Sequence, residues 1–227
     1  MGRSMRSHLR LVLALWLVGI SSAIGWGAEL SDGTLLFLEN CSSVVERTTR
    51  GEIGHVALVF QDGGERYVYE ATPAQVRRVT LASYLEDLAR QNKRKSDDDQ
   101  VRPIAVAPKP AYTSEETSRM RTYLDGQIGR RYSVKNYVRG KPYDGIHCAE
   151  LASSTLNASG RYSFADCHKI NPQALYAAVA PTHLAAERLT IPALEVQEPM
   201  STRAARRWSR WLTWCGWSWR EAWLWLW

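Results

Sequence analysis

The sequence predicts an α+β domain. Strand-like apolar runs bounded by turn residues recur at 33–38, 54–60, 66–71 and 101–107. Segments with helical periodicity and capping residues lie at 81–90, 114–126, 148–158 and 173–179, and no internal repeat is present.

The run Gly33-Thr34-Leu35-Leu36-Phe37-Leu38 reads as a buried strand, and the polar stretch Glu39 to Glu52 as a loop or short helix. Gly54 to Phe60 and Arg66 to Ala71 flank Asp62-Gly63-Gly64, a turn that joins them as a hairpin. Thr80 caps a helix over Leu81 to Arg90, whose Leu81, Tyr84, Leu85 and Leu88 share one face. Asn92 to Gln100, three basic residues followed by three aspartates, reads as a solvated loop. Val101 to Ala107 is a further strand, stopped by Pro108 and Pro110. A helix starts at Ser114-Glu115-Glu116-Thr117 and ends at Gly126 or Gly129. Arg130 to Gly145, rich in Tyr, Arg and Gly, is expected to be a substrate-facing loop. Cys148 to Ala158 forms a helix closed by Gly160, and Asn171-Pro172 caps another over Gln173 to Val179.

The ends of the chain have a different composition from its middle. Arg3, Arg6 and Arg10 precede the apolar run Leu11 to Ile20, and small residues follow at Ser21, Ser22, Ala23, Gly25 and Gly27. That layout predicts a secretory signal peptide over 1–27, with an uncleaved signal anchor as the rival. The domain is expected over 28–190, a linker over 191–207 and a separate tail over 208–227. Of the formal charge of +6, the signal segment contributes +3 and residues 201–227 contribute +4, which leaves −1 on the domain. No basic stripe remains there for a nucleic acid partner.

Cys41, Cys148, Cys167 and Cys215 form neither a dense disulfide framework nor a zinc-like pair, although Cys41 with Cys167 is a conceivable disulfide. No metal-ligand spacing and no phosphate-cradling loop appears, so neither a metal nor a cofactor is expected.

The chemistry concentrates in an ordered trio: His55 and Glu70 on the hairpin strands, and Cys148 opening a helix. The helix dipole and the unpaired N–H groups of a helix start acidify a thiol. An imidazole on a neighbouring strand can deprotonate it, and a carboxylate can orient that imidazole. Strand alternation puts His55, Ala57 and Val59 on one face, and Gly54, Val56 and Leu58 on the other. Taken singly, Cys148 could be a small buried residue, His55 a satisfied core histidine and Glu70 a solvated strand end. Rival bases are His147, which adjoins the thiol, and His168, which follows it; Cys41 is a rival nucleophile.

On these residues the chain resembles the permuted papain-like amidases of the NlpC/P60 superfamily, in particular the YaeF/YiiX group. The resemblance runs from about Gly33 to Gly160. Its anchors are Gly33-Thr34-Leu35-Leu36-Phe37, Gly54-His55-Val56-Ala57-Leu58-Val59, Tyr69-Glu70-Ala71 and Cys148-Ala149-Glu150-Leu151. It implies a circularly permuted papain-like fold, with an antiparallel sheet packed on the cysteine helix. Cys148 would be the nucleophile, His55 the base and Glu70 the orienting residue. Two departures stand out. Thr34 replaces an aspartate of the family pattern, and the family's Gly-x-x-Tyr-Asp element fits either Gly129 to Tyr132 or Gly140 to Asp144.

The expected function is an exported cysteine hydrolase of the amidase or peptidase kind, periplasmic or extracytoplasmic. Its substrate would be a peptide- or lipid-linked amide or ester. The alternatives are a lipid acyl hydrolase or acyltransferase, or a non-catalytic ligand-binding module. Eight of the ten tryptophans fall within 208–227, with Arg210 and Arg220 among them. That pattern predicts a membrane-interface anchor, with a disordered tail or a misread gene end as the plain alternatives.

Overall fold

The structure, a computed structural model, describes residues 30–41, 51–141 and 144–192. The expected signal segment, the tail, Cys215 and most of the linker lie outside these residues, as does most of the Glu39 to Glu52 stretch. The described strands are β1 (Thr34–Glu39), β2 (Ile53–Asp62), β3 (Glu65–Ala71), β4 (Val76–Thr80), β5 (Arg102–Val106) and β6 (Glu187–Arg188). They form one antiparallel sheet of order β4-β3-β2-β1-β5-β6. The described α-helices are α1 (Leu81–Asn92), α2 (Ser114–Asp125), α3 (Lys135–Arg139), α4 (Cys148–Ser159) and α5 (Pro172–Val179). The α+β expectation is met.

The sheet is covered on both faces, which explains why β1 is apolar without alternation. Leu35 and Phe37 join Val56, Leu58 and Tyr69 on the face covered by α2, α4 and α5. Leu36 and Leu38 join Ala57, Val59 and Val68 on the face covered by α1. Helix α1 buries Leu81, Tyr84, Leu85 and Leu88, the stripe its periodicity predicts, and Thr80 caps it by accepting from the Ser83 N–H. Each such buried Leu contributes about 1.5–3 kcal/mol through apolar area removed from water.

Helix starts and stops also follow local chemistry. Thr113 and Glu116 form a reciprocal capping box on α2, and Asn171 caps α5 with Pro172 in its first turn. Gly160, in the left-handed region at φ 86°, ends α4.

Two strands escape the sequence pattern. In β4 the adjacent Arg77 and Arg78 break apolar alternation, yet each is accommodated on its own face of the sheet. Strand β6 is two residues long and pairs only at the edge of β5. The Arg130 to Gly145 stretch, expected to be a loop, carries the short helix α3.

Candidate active site

The β2–β3 ladder runs from Asp62↔Glu65 to Leu58↔Tyr69 and ends there. His55 lies on the β2 side of this open end, still paired with Leu38 of β1, and Glu70 lies on β3, paired with Arg77 of β4. Both point to the α1 face, with Ala57, Val59 and Val68. His55 Nε2 is 2.9 Å from Glu70 Oε2. The two side chains are 17% and 6% exposed, so the pair is largely shielded from water. Engagement of Nε2 by the carboxylate leaves Nδ1 as the ring nitrogen for a third group.

That group is Cys148, the first residue of α4, 4% exposed and in contact with both His55 and His147. Glycine at 145 lets the chain enter α4. Its φ is +111°, and a Cβ there would come within 2.6 Å of Ser133 Cβ. His147 is the N-cap: its Nδ1 accepts from the Glu150 N–H at 3.3 Å, and its Nε2 donates to the His168 carbonyl at 3.1 Å. Asn136, fully buried, donates to Gly145 O and to Glu150 Oε2 at 3.0 and 2.9 Å, which braces the first turn from α3.

Electrostatics polarise the trio. Burial pushes the Cys148 thiol up, but the His55 charge and hydrogen bond, together with the adjacent His147 ring, outweigh it and draw the thiol from 9.0 down to about 6. Burial pushes His55 down, and the Cys148 and Glu70 charges and hydrogen bonds reverse that, raising it from 6.5 to about 10. Burial also opposes ionisation of Glu70, yet His55 and Arg77 hold its carboxyl below the ordinary value. The favoured state is a thiolate–imidazolium pair backed by a carboxylate.

His147 is different. Burial lowers its pKa and the neighbouring thiol raises it, the rise prevailing, but a proton on Nδ1 would destroy the cap. The cap geometry therefore favours the neutral ring with its proton on Nε2.

The structure brings together all three residues singled out in the sequence; of their rivals, His147 also stands at the thiol, where it caps α4. His168 offers His147 its backbone carbonyl, not its ring. Cys41 and Cys167 are not joined in a disulfide, and their thiols bond to the Leu38 and Phe164 carbonyls. Of the two Gly-x-x-Tyr segments, Gly129 to Tyr132 lies alongside the approach to the site. There Gly129 N–H donates to Val76 O, and Tyr132 bridges to Ile146. Pro142 and Tyr143 of the other lie outside the described residues.

Sequence reasoning missed Arg77, Asn136 and the capping role of His147. A His three residues before the first-turn acid Glu150 was a readable cap signal; the other two have no local signature.

Fold and site together define a class: an α+β protein in which a thiol at a helix start meets an imidazole and a carboxylate carried by an antiparallel sheet. No family model and no curated protein matches the sequence. Among solved structures, the chain is similar to the crystal structure described as metalloprotein yiiX from Escherichia coli O157:H7, DUF1105. The TM-score is 0.53 and the identity 14%, over 73% of this chain and 100% of that one. The YiiX-like resemblance read in the sequence is thus matched in the fold.

That protein is described as a metalloprotein, which makes the donor set here worth testing. Among the described residues, no group of three or more His, Cys, Asp or Glu side chains is arranged to hold a metal ion. Both Glu70 oxygens are occupied, by His55 and by Arg77, and both His147 nitrogens by backbone groups. These residues do not fit a metal at the Cys148 site.

Proposed function

We propose that this chain is a cysteine-nucleophile hydrolase with a circularly permuted papain-like arrangement, cleaving an amide or ester through Cys148, His55 and Glu70. One observation carries the reading: a buried thiol at a helix start, drawn well below its ordinary pKa by an imidazole that is itself anchored to a carboxylate. The order of these residues, histidine strand first and cysteine helix last, and the fold shared with YiiX support it.

In the acylation step the Cys148 thiolate attacks the carbonyl carbon, and the S–C bond forms as the C=O electrons move to oxygen. The backbone N–H of Cys148, at the start of α4, faces the developing oxyanion. His55 transfers the Nδ1 proton to the leaving amine or alcohol as the C–N or C–O bond breaks. In deacylation the neutral ring takes a proton from water, hydroxide attacks the thioester carbon, and the thiolate departs. Glu70 stays ionised throughout and holds the ring by Nε2–H.

The expected export over 1–27 and the tryptophan-rich tail at 208–227 extend this proposal to an extracytoplasmic enzyme working near a membrane. Such an address admits both peptide-linked and lipid-linked substrates.

Thiol reactivity against pH tests the reading. Selective alkylation of Cys148 well below the ordinary thiol pKa, weakened in His55→Ala, is the expected result. Turnover retained by Cys148→Ala would sink the assignment.

A further inference from the structure

Directly across from Glu70 on the β3–β4 ladder stands Arg77. Its Nε donates to Glu70 Oε1 at 2.8 Å, and its Nη2 lies 2.6 Å from the same oxygen. The guanidinium is held in turn from α1, where Asp87 Oδ2 accepts from Nη2 at 3.2 Å. The carboxylate is thus divided, with Oε1 on Arg77 and Oε2 on His55. Arg78, the next residue, leaves on the opposite face: it lies 3.9 Å over the Tyr67 ring and pairs with Asp62 at 2.6 Å. Only one of the two consecutive arginines reaches the site.

We infer that Arg77, clamped from α1 by Asp87, is a positioning residue that fixes the Glu70 carboxylate so that one oxygen alone is presented to the His55 ring. The inference rests on the reading of Cys148 as nucleophile. A buried carboxylate with a single partner could rotate, protonate or draw in water. A guanidinium bonded to one oxygen removes those options and leaves the other as a directional acceptor for Nε2–H. Asp87 prevents Arg77 from swinging out to solvent, since its side chain is 36% exposed.

The groups around the trio are His147 from the cap of α4, Tyr84 from α1 and Arg77 from β4, with Asp87 bonded to Arg77 and Cys41 acting on Tyr84. Tyr84 is kept protonated by burial and by the Glu70, Cys41 and Cys148 charges against Arg77, so it does not supply the countercharge. Arg77 is the cation that does so for Glu70.

The test is the pH profile of iodoacetamide labelling at Cys148 in the full chain, read by mass spectrometry of its peptide. It is run on wild type, Arg77→Met, Arg77→Lys and Asp87→Asn, each with a melting curve. Loss of the guanidinium weakens the hold of Glu70 on the imidazolium, so the Arg77→Met profile moves to higher pH. Below the wild-type midpoint, labelling slows about tenfold for each pH unit of that move. Arg77→Lys restores part of the move, and Asp87→Asn gives a smaller one in the same direction.

A merely structural arginine would lower Tm and leave the midpoint in place, and that result overturns the inference alone. If Arg77→Met does not fold, unmoved profiles in Arg77→Lys and Asp87→Asn overturn it equally. An ordinary thiol profile in the wild type overturns the nucleophile reading, and this inference with it.

Discussion

Two carboxylate–guanidinium pairs in this molecule have similar chemistry and opposite consequences. At the start of α2, Glu116 accepts from Arg161 Nε and Nη2 at 2.7 and 2.6 Å and from the Thr113 N–H at 2.7 Å. Arg161 spends its other donors on the Pro110 and Ala111 carbonyls and lies 4.4 Å over the Tyr112 ring. Every member of this clamp has a charge that is fixed near neutrality, and the network closes on itself. Glu70 and Arg77 form a similar pair, but the second carboxylate oxygen ends on an imidazole that can exchange a proton. A closed network holds the chain in one shape, whereas one that ends on a titratable ring transmits charge to a neighbouring thiol.

The contrast can be broken most forcefully at His55. His55→Ala is expected to lower turnover by about 10²–10⁴-fold, the usual worth of a positioned acid–base group, with only a small change in Tm. Arg161→Met is expected to do the reverse: a lower Tm and an unchanged Cys148 labelling profile. Equal loss of turnover in both variants would erase the distinction between the two networks.

Next in size is the pH response. Thiolate forms as pH rises through about 6 and the imidazolium persists until about 10, so labelling of Cys148 should reach its plateau well below 9.0. A midpoint near 9.0 would mean that the ring does not reach the thiol.

Smaller effects sharpen the closed end. Thr113→Ala removes one half of the capping box and is expected to cost about 1 kcal/mol in urea unfolding, with labelling unaffected. The bonds from Arg161 and from the Thr113 backbone hold the Glu116 carboxyl down at about 2 from 4.5. A lowered folded-state pKa stabilises above 4.5, and that contribution fades as pH falls through about 2. Glu116→Gln should therefore be less stable than wild type at neutral pH, with the gap closing near pH 2. A gap that persists there would show that charge is not its cause.

Much of the fold was legible in the residues themselves because its signals are local. The stripe in α1, the Thr80 and Asn171 caps, the Gly160 stop and the Asp62-Gly63-Gly64 hairpin depend on neighbours within four residues. Strand β4 was not legible. Its Arg77-Arg78 step looks like a solvated pair until β3 supplies Glu70 on one face and the Tyr67 ring on the other. In the sequence His147 is a rival base because it adjoins the thiol. The structure keeps it at the thiol but spends both ring nitrogens on backbone groups.

By itself, the sequence determined the α+β class and most element boundaries, and it singled out His55, Glu70 and Cys148 in order as the candidate trio, since periodicity, capping and residue chemistry are written along the chain. Only the tertiary structure decided that the β2–β3 ladder opens after Leu58↔Tyr69, that the first turn of α4 meets that opening, and that Arg77 and Asn136 brace it. Those contacts join residues far apart in sequence. Their partners are selected by which faces of the sheet and helices become buried together, and no local pattern encodes that.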